Sequence, residues 1–253
     1  MYALGMSDPW QCFRLRTRRD WAEGLATFHL DGETPEFRAG QFLRLGVDLG
    51  EREPLSRPYS VASAPGEPLE FFIVRVDGGA LTPRLFDLPL GAELKVHPRA
   101  GGVFTLGMVP DAETLWFIST GTGLAPFVSM LRQGEPFERF ERVVVVQCVR
   151  QPEQLCYVEE LNALAAAKPG KIRQVNLATR APADGVLFCR ITQAFTDGSL
   201  EEAAQATLTP ETAQVMLCGN PDMLIDMQAL LGERGMRKNR KREPGHITVE
   251  KYW

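Results

Sequence analysis

Along the first hundred residues, apolar and polar positions alternate over short runs. They are "ATFHL" (26–30), "GQFLRLGV" (40–47), "RPYSVAS" (57–63), "LEFFIVRV" (69–76) and "AELKVHP" (92–98). A period of two sends alternate side chains to one face, so each run predicts a half-buried strand rich in β-branched and aromatic residues. Clusters of Gly, Pro, Asp and Glu separate the runs and predict turns. Several short strands at this spacing, with few helical signals, predict a closed antiparallel barrel. One helical insert is predicted at "LTPRLFDL" (81–88), with Thr82 capping a turn opened by Pro83.

The pattern then changes. "TLWFIS" (114–119) reads as a strand of the kind buried on both faces, and "RVVVVQCV" (142–149), "KIRQVNLAT" (171–179) and "AQVMLCG" (213–219) read as further strands. Between them lie helical stretches: "GTGLAPFVSMLRQG" (121–134) after a Gly-rich loop, "CYVEELNALAAAKPG" (156–170) stopped by Pro169 and Gly170, and "NPDMLIDMQALLGERG" (220–235). Strand–helix alternation predicts a doubly wound parallel sheet. The chain therefore reads as a two-domain β + α/β protein. An N-terminal antiparallel β-barrel spans 1–107 and a C-terminal parallel-sheet domain spans 108–253, with the junction inside "FTLGMVPDAE" (104–113). Two architectures in sequence predict two ligands meeting at a cleft between domains.

Composition narrows the classes. A length of 253 residues allows each domain its own core, and a net charge of −4 gives no general pull toward nucleic acid or membrane. The cysteines at 12, 148, 156, 189 and 218 form no C-x-x-C, and His29, His97 and His246 are dispersed, so no metal site is expected. Scattered thiols in odd number fit a reducing cytoplasm. The start "MYALGMSDPWQCF" lacks a basic region followed by a long apolar run, and Met6 offers an alternative start. The expectation is a soluble, cytoplasmic monomer.

"RPYS" at 57–60 does not look like ordinary barrel wall. Tyr59 offers a flat face for stacking, Arg57 a fork for phosphate, and Ser60 a hydroxyl that can donate to a ring nitrogen. Alternation puts Arg57 and Tyr59 on one face and Ser60 on the other, unless a bend at Pro58 re-aims it. The set suits a flat heteroaromatic group carrying a diphosphate, a flavin. Taken alone, it describes at least as well an exposed arginine and a half-buried tyrosine on a strand.

Further motifs join it in order. "RPYS" (57–60), "GTGLAP" (121–126), "CGNP" (218–221) and the closing "VEKYW" (249–253) resemble those of the ferredoxin–NADP(+) reductase family. The last resembles the chain end of a bacterial branch that finishes in Tyr-Trp, and the similarity runs from about residue 10 to the last residue. The resemblance implies an FAD-binding barrel, an NADP-binding α/β domain, and an enzyme. That enzyme would pass hydride from NADPH to flavin and single electrons onward to ferredoxin or flavodoxin, reversibly. It implies that Arg57 binds the FAD diphosphate, that Tyr59, next to Pro58, stacks on the isoalloxazine, and that Ser60 hydrogen-bonds near the hydride-accepting N5. Phe72, Ile73, Val74 and Arg75 match a strand lining the flavin. Ala80, Leu81 and Thr82 match a loop touching the diphosphate, and Gly101, Gly102, Val103 and Thr105 match a second phosphate-side turn.

On the nucleotide side, Gly121, Thr122 and Gly123 stand between strand and helix, where backbone N–H groups meet phosphate. Pro126 replaces the last glycine of G-x-G-x-x-G, so the residues alone leave a dinucleotide loop and a tight β–α turn both open. The resemblance makes these three nicotinamide and diphosphate contacts, with Thr122 also facing FAD. Arg150, Arg180 and Arg190 follow strand ends, where doubly wound sheets bind ligands. Similar bacterial reductases place arginines there for the 2′-phosphate, which favours NADP over NAD, with Thr179 assisting. Gly219, Asn220 and Met223 fall in the second nicotinamide-side motif. The implied catalytic set is Ser60, Cys218, Glu250 and Tyr252. Cys218 lies beside the reacting ring carbons as a positioning group, and Glu250 serves proton relay or transition-state positioning. Tyr252 covers the flavin face opposite Tyr59 as a gate, and Trp253 packs by the adenine.

The run "MRKNRKREPGH" (236–246) carries Arg237, Lys238, Arg240, Lys241 and Arg242. It is either a solvated basic loop or a docking surface for an acidic ferredoxin or flavodoxin. Two other functions remain open: the reductase component of an oxygenase system with a separate iron–sulfur partner, and a non-catalytic flavin or nucleotide sensor. The retained hydride-transfer residues argue against the sensor.

Overall fold

The computed structural model describes residues 9–251, so Tyr252 and Trp253 lie outside the described residues. Six strands build the first sheet: β1 (Gln11–Ala22), β2 (Leu25–Asp31), β3 (Phe42–Val47), β4 (Leu55–Ser60), β5 (Glu70–Val74) and β6 (Glu93–Gly101). They run antiparallel in the order β4-β3-β6-β1-β2-β5. The edge strands β4 and β5 meet through a bridge between Val61 and Phe71 and a hydrogen bond from Ala62 N–H to Glu70 C=O at 2.8 Å. The barrel thus closes on a thin seam. Its interior is filled by Phe13, Leu15, Phe28, Leu30, Leu43, Leu45 and Leu94, all fully buried, each contributing roughly 1.5–3 kcal/mol.

Strand β1 is absent from the sequence-based expectation. Only Phe13 and Leu15 of "QCFRLRTRRDWA" are buried, and the outward positions carry arginines that hide the alternation. The predicted insert exists as α1 (Thr82–Phe86), but Thr82 does not cap it. Leu81 occupies the cap position, and the Thr82 hydroxyl accepts from Val76 N–H at 2.8 Å, closing the preceding loop instead.

The second sheet comprises β7 (Thr114–Thr120), β8 (Arg142–Val149), β9 (Ile172–Ala178), β10 (Leu187–Phe188), β11 (Ala213–Gly219) and β12 (Ile247–Lys251). All pairs are parallel, in the order β10-β9-β8-β7-β11-β12. Alternate strand residues feed two cores. Phe117, Val143, Val145 and Met216 pack under α2 (Ala125–Gln133), α3 (Glu135–Arg139) and α4 (Val158–Ala167). Trp116, Ile118, Val144 and Leu217 pack under α5 (Ile191–Thr196), α6 (Ser199–Ala204) and α7 (Pro221–Glu233). The first of these cores also contains Leu25, Ala62, Phe72 and Phe104 from the barrel side, so the two architectures share one apolar interior. Among the described residues no helix is long and apolar enough to cross a membrane.

The order of the parallel strands reverses between β7 and β11. In such sheets the crevice beyond the strand C-termini at that point is where ligands bind. Here the barrel stands over it.

Candidate active site at the domain junction

A cleft of about 390 Å³ opens at the junction. Strand β4 supplies one wall. Pro58 is tolerated because β4 is an edge strand, where a missing N–H breaks no ladder. Arg57, Pro58, Tyr59 and Ser60 all reach the cleft, so strict alternation does not hold past the proline. Burial pushes the Tyr59 hydroxyl up to about 12, against the pull of neighbouring Arg57, so its ring presents an uncharged face. The exposed Arg57 guanidinium donates to Ser56 C=O at 2.8 Å and makes no ion pair among the described residues. It is placed to meet an anion.

Phe72, Ile73 and Val74 of β5, Ala80 and Leu81 of the following loop and Thr82 at the start of α1 form the adjoining wall. Arg75 does not join them, because its side chain turns outward to Asp87 at 3.2 Å. Gly101 and Gly102 lie beside the cleft beneath Phe42, a lining residue that sequence reasoning missed. A Cβ on Gly101 would come within 2.6 Å of the Phe42 ring, and Gly102 has φ +93, so the glycine pair is the seat for that ring. The pair itself was the signal. Val103 stands 76 % exposed and Thr105 is buried, its carbonyl accepting from Met108 N–H; neither lines the cleft. Gly79, the first residue of the "GALT" loop (79–82) that the resemblance matches to the diphosphate, also lines it, and so do Val76 and Lys251, which sequence reasoning missed.

Thr122 and Glu250 close the far side. Parallel register sets Cys218 opposite both Ser119 of β7 and Glu250 of β12. Burial raises the Glu250 carboxyl to about 7, opposed by a hydrogen bond with Ser60. Its Oε2 is buried and has no hydrogen-bond partner among the described residues. A carboxylic acid poised near neutrality with a free buried oxygen can hold or hand on a proton. Cys218 is fully buried in the shared core and absent from the described lining; burial first, and the Glu250 charge second, push its thiol well up. It stays a protonated packing group.

The turn after β7 and the turn after β11 press together. A Cβ on Gly123 would lie 2.4 Å from Cys218 C=O, and one on Gly219, at φ +136, would lie 2.1 Å from Thr120 Oγ1. Asn220 N–H donates to that same Oγ1 at 2.7 Å. The Asn220 side chain caps α7, accepting from the N–H groups of Asp222 and Met223. Gly121, at φ +52, opens the first turn. Arg150, Arg180 and Arg190 are exposed at the ends of β8, β9 and β10. Arg180 N–H donates to Arg150 C=O at 2.9 Å, and Thr179 N–H donates to Val149 C=O at 3.1 Å. None of the three guanidinium groups is paired with a carboxylate among the described residues.

A barrel carrying an aromatic, arginine-bearing wall, set over the switch point of a doubly wound sheet, defines a two-domain nucleotide-dependent oxidoreductase. Residues 117–229 match the oxidoreductase NAD-binding domain family. The chain is 39 % identical to the flavodoxin/ferredoxin–NADP reductase of Shigella flexneri over 98 % of its own length and all of the relative's. It is 38 % identical to ferredoxin–NADP reductase A of Sorangium cellulosum over 91 % of its length and 86 % of the relative's. The crystal structure of a ferredoxin NADP+ reductase from Neisseria gonorrhoeae with bound FAD and NADP superposes with a TM-score of 0.91 at 32 % identity, covering 98 % of this chain and 100 % of that one. The chain belongs to the flavodoxin/ferredoxin–NADP reductase family.

Proposed function

We propose that the protein is an FAD-dependent NADPH:ferredoxin/flavodoxin oxidoreductase, with residues 1–107 as the FAD domain and 108–253 as the NADP domain. The observation that carries this reading is the cleft itself. It unites the "RPYS" wall, Thr122 of the Gly-rich turn and Glu250 in one space. The donor set fits FAD: a neutral aromatic face at Tyr59, an arginine without a carboxylate at Arg57, and an orphaned buried oxygen at Glu250.

When bound, the flavin supplies the chemistry, accepting hydride as an electron pair and releasing electrons singly. The chain's own residues do the rest. Tyr59 and Pro58 would hold the ring plane, Arg57 the diphosphate, and Phe72 to Val74 the ring edge. Thr122 and the glycine turns would bring the nicotinamide to the opposite face. Glu250 would keep a proton at its carboxyl next to the Ser60 hydroxyl, ready to move as charge changes in the cleft. Arg150, Arg180 and Arg190 would bind the 2′-phosphate, supported by their exposure and lack of carboxylate partners at adjacent strand ends. Tyr252 would gate the nicotinamide face and Trp253 would pack by the adenine, both at positions outside the described residues.

Ferredoxin or flavodoxin would dock by the basic loop Arg237–Arg242, to a monomeric cytoplasmic enzyme. The loop's five cations are exposed, and Asn239 ties its base to Met108 C=O and to Thr248 Oγ1, beside the domain junction. Neutralising Lys238, Arg240 and Lys241 together will slow electron transfer to ferredoxin about tenfold at low salt and flatten its salt dependence. An unchanged rate and salt slope in stopped flow would remove the loop from docking.

The test of the function is anaerobic mixing of the purified holoprotein with NADPH or NADH while the flavin absorbance is followed. Bleaching by NADPH at far lower concentration than NADH is expected. A flavin that neither nucleotide bleaches would leave the fold without the chemistry.

A further inference from the structure

Helix α2 begins where the Gly121–Leu124 turn ends, so whatever fixes α2 also fixes Thr122. Two side chains of that helix, Ser129 at its middle and Arg132 near its end, cross the junction. Arg132 Nη1 donates to Ala62 C=O at 3.1 Å and to Glu70 Oε2 at 2.7 Å. Its Nε and Nη2 form a fork on Glu160, at 2.6 Å to Oε1 and 2.9 Å to Oε2. The fully buried Ser129 donates its hydroxyl to Ser63 C=O at 2.6 Å. Ala62 and Ser63 follow Ser60 by two and three residues. Glu70 precedes Phe72 by two, on the same face of β5. One helix therefore grips β5 and the segment that directly follows β4, the two pieces of the barrel that form the opposite wall of the cleft.

We propose that Arg132, with Ser129 beside it, is a positioning residue that sets the distance between the nucleotide turn and the Ser60 wall. This inference rests on the function proposed above. The physical need is directional. Hydride transfer requires the reacting atoms at about 3–3.5 Å, and a misplacement of about 1 Å can cost about 100-fold. The shared core at the junction, built on groups such as Phe104, Phe127 and Leu124, is apolar. Apolar burial holds two bodies together but is non-directional and does not specify their angle. A planar guanidinium with oxygens fixed on three sides does. Its other neighbours complete the fixture: the guanidinium lies 5.7 Å from the Tyr157 ring, which meets Phe72 edge-on at 5.4 Å. The Tyr157 hydroxyl hydrogen-bonds Thr27 at 2.7 Å. Glu70 is braced from behind by His29 Nδ1 at 3.3 Å. Burial alone would raise the Glu70 carboxyl, but hydrogen bonds from His29 and Arg132 outweigh it and hold it below the usual range, so it stays charged.

The test uses full-length holoprotein carrying Arg132→Met, Arg132→Lys or Ser129→Ala. In anaerobic stopped flow at saturating NADPH, Arg132→Met is expected to slow flavin reduction by roughly 10-fold to 100-fold. The dissociation constant for NADP+ should hold, and Arg132→Lys should recover part of the rate. A readout independent of turnover is hydrogen exchange without nucleotide. It should accelerate within residues 61–72 and 125–133 only. A full rate in Arg132→Met would overturn the proposal. So would a loss confined to nucleotide affinity, or faster exchange across both sheets alike. If Arg132→Met does not fold, Ser129→Ala carries the same decision: a slowed rate at unchanged affinity supports the proposal and a full rate overturns it. A wild-type flavin that NADPH fails to bleach would strike the proposed function, while the exchange pattern would still decide the clamp.

Discussion

Replacing Arg150 and Arg190 together by alanine will weaken NADPH binding by roughly 100-fold to 10,000-fold and leave NADH nearly untouched. Each charge-assisted hydrogen bond to a phosphate contributes about 1.5–3 kcal/mol, so two contribute about 3–6 kcal/mol, at about 1.4 kcal/mol per tenfold. The 2′-phosphate is the only group by which the two nucleotides differ, so the loss falls on one of them. The fold should tolerate the change, since both side chains are exposed and neither pairs with a carboxylate among the described residues. Surface changes of that kind usually stay within about 0.5 kcal/mol. Arg180, whose N–H is tied to Arg150 C=O, should show a smaller loss when changed alone. The measurement is a pair of titrations, NADPH and NADH, followed by flavin bleaching. Equal losses for both would mean that these arginines support the sheet edge and not the phosphate.

What could be read from the chain, and what could not, follows from locality. The central strands β8 and β11 coincide with the predicted runs at 142–149 and 213–219, because a strand buried on both faces is a continuous apolar run with sharp ends. Strand β1 escaped because its outer face is arginine after arginine, and β10, with two residues, is too short to carry a period. The "RPYS" wall was legible as chemistry, since three unusual residue types crowd one strand. Its geometry was not, because all four residues reach the cleft where strict alternation would send Ser60 to the other face. Phe42 was invisible as a site residue: an apolar position on a barrel strand looks the same whether it faces the core or a ligand. Its trace was the Gly101–Gly102 pair, about sixty residues away, whose missing side chains make room for the ring. The grip of Arg132 on Ala62 and Glu70 is likewise a contact between distant segments, and an arginine near a helix end reads as surface.

Glu250 illustrates the same point and carries the second large effect. Exchanging it for glutamine will lower NADPH-driven flavin reduction by roughly 100-fold to 10,000-fold, the range of a positioned general acid or base. It will also remove a titration near pH 7, where the carboxyl of the wild type changes charge. Below that point the acid form has a proton to give beside Ser60. Above it the ionised form leaves a charge on a buried, unpartnered Oε2, so the wild-type rate falls as pH rises while the variant's profile is flat. The substitution has the opposite effect on stability, although wild-type stability, like the rate, falls as pH rises. The folded carboxyl has its pKa raised from 4.5 to about 7 by burial, so its contribution to folding is complete below about pH 4.5 and is lost as pH rises through 7. By linkage that loss is at most roughly 3 kcal/mol. Glutamine, which never ionises, escapes it, and the variant should melt higher than the wild type above pH 7 and not below pH 4.5. A gain in stability purchased with activity at one residue is the signature of a strained functional group. A melting difference that does not change with pH, or a rate profile that keeps its titration in the variant, would assign the neutral-pH proton to another group in the cleft.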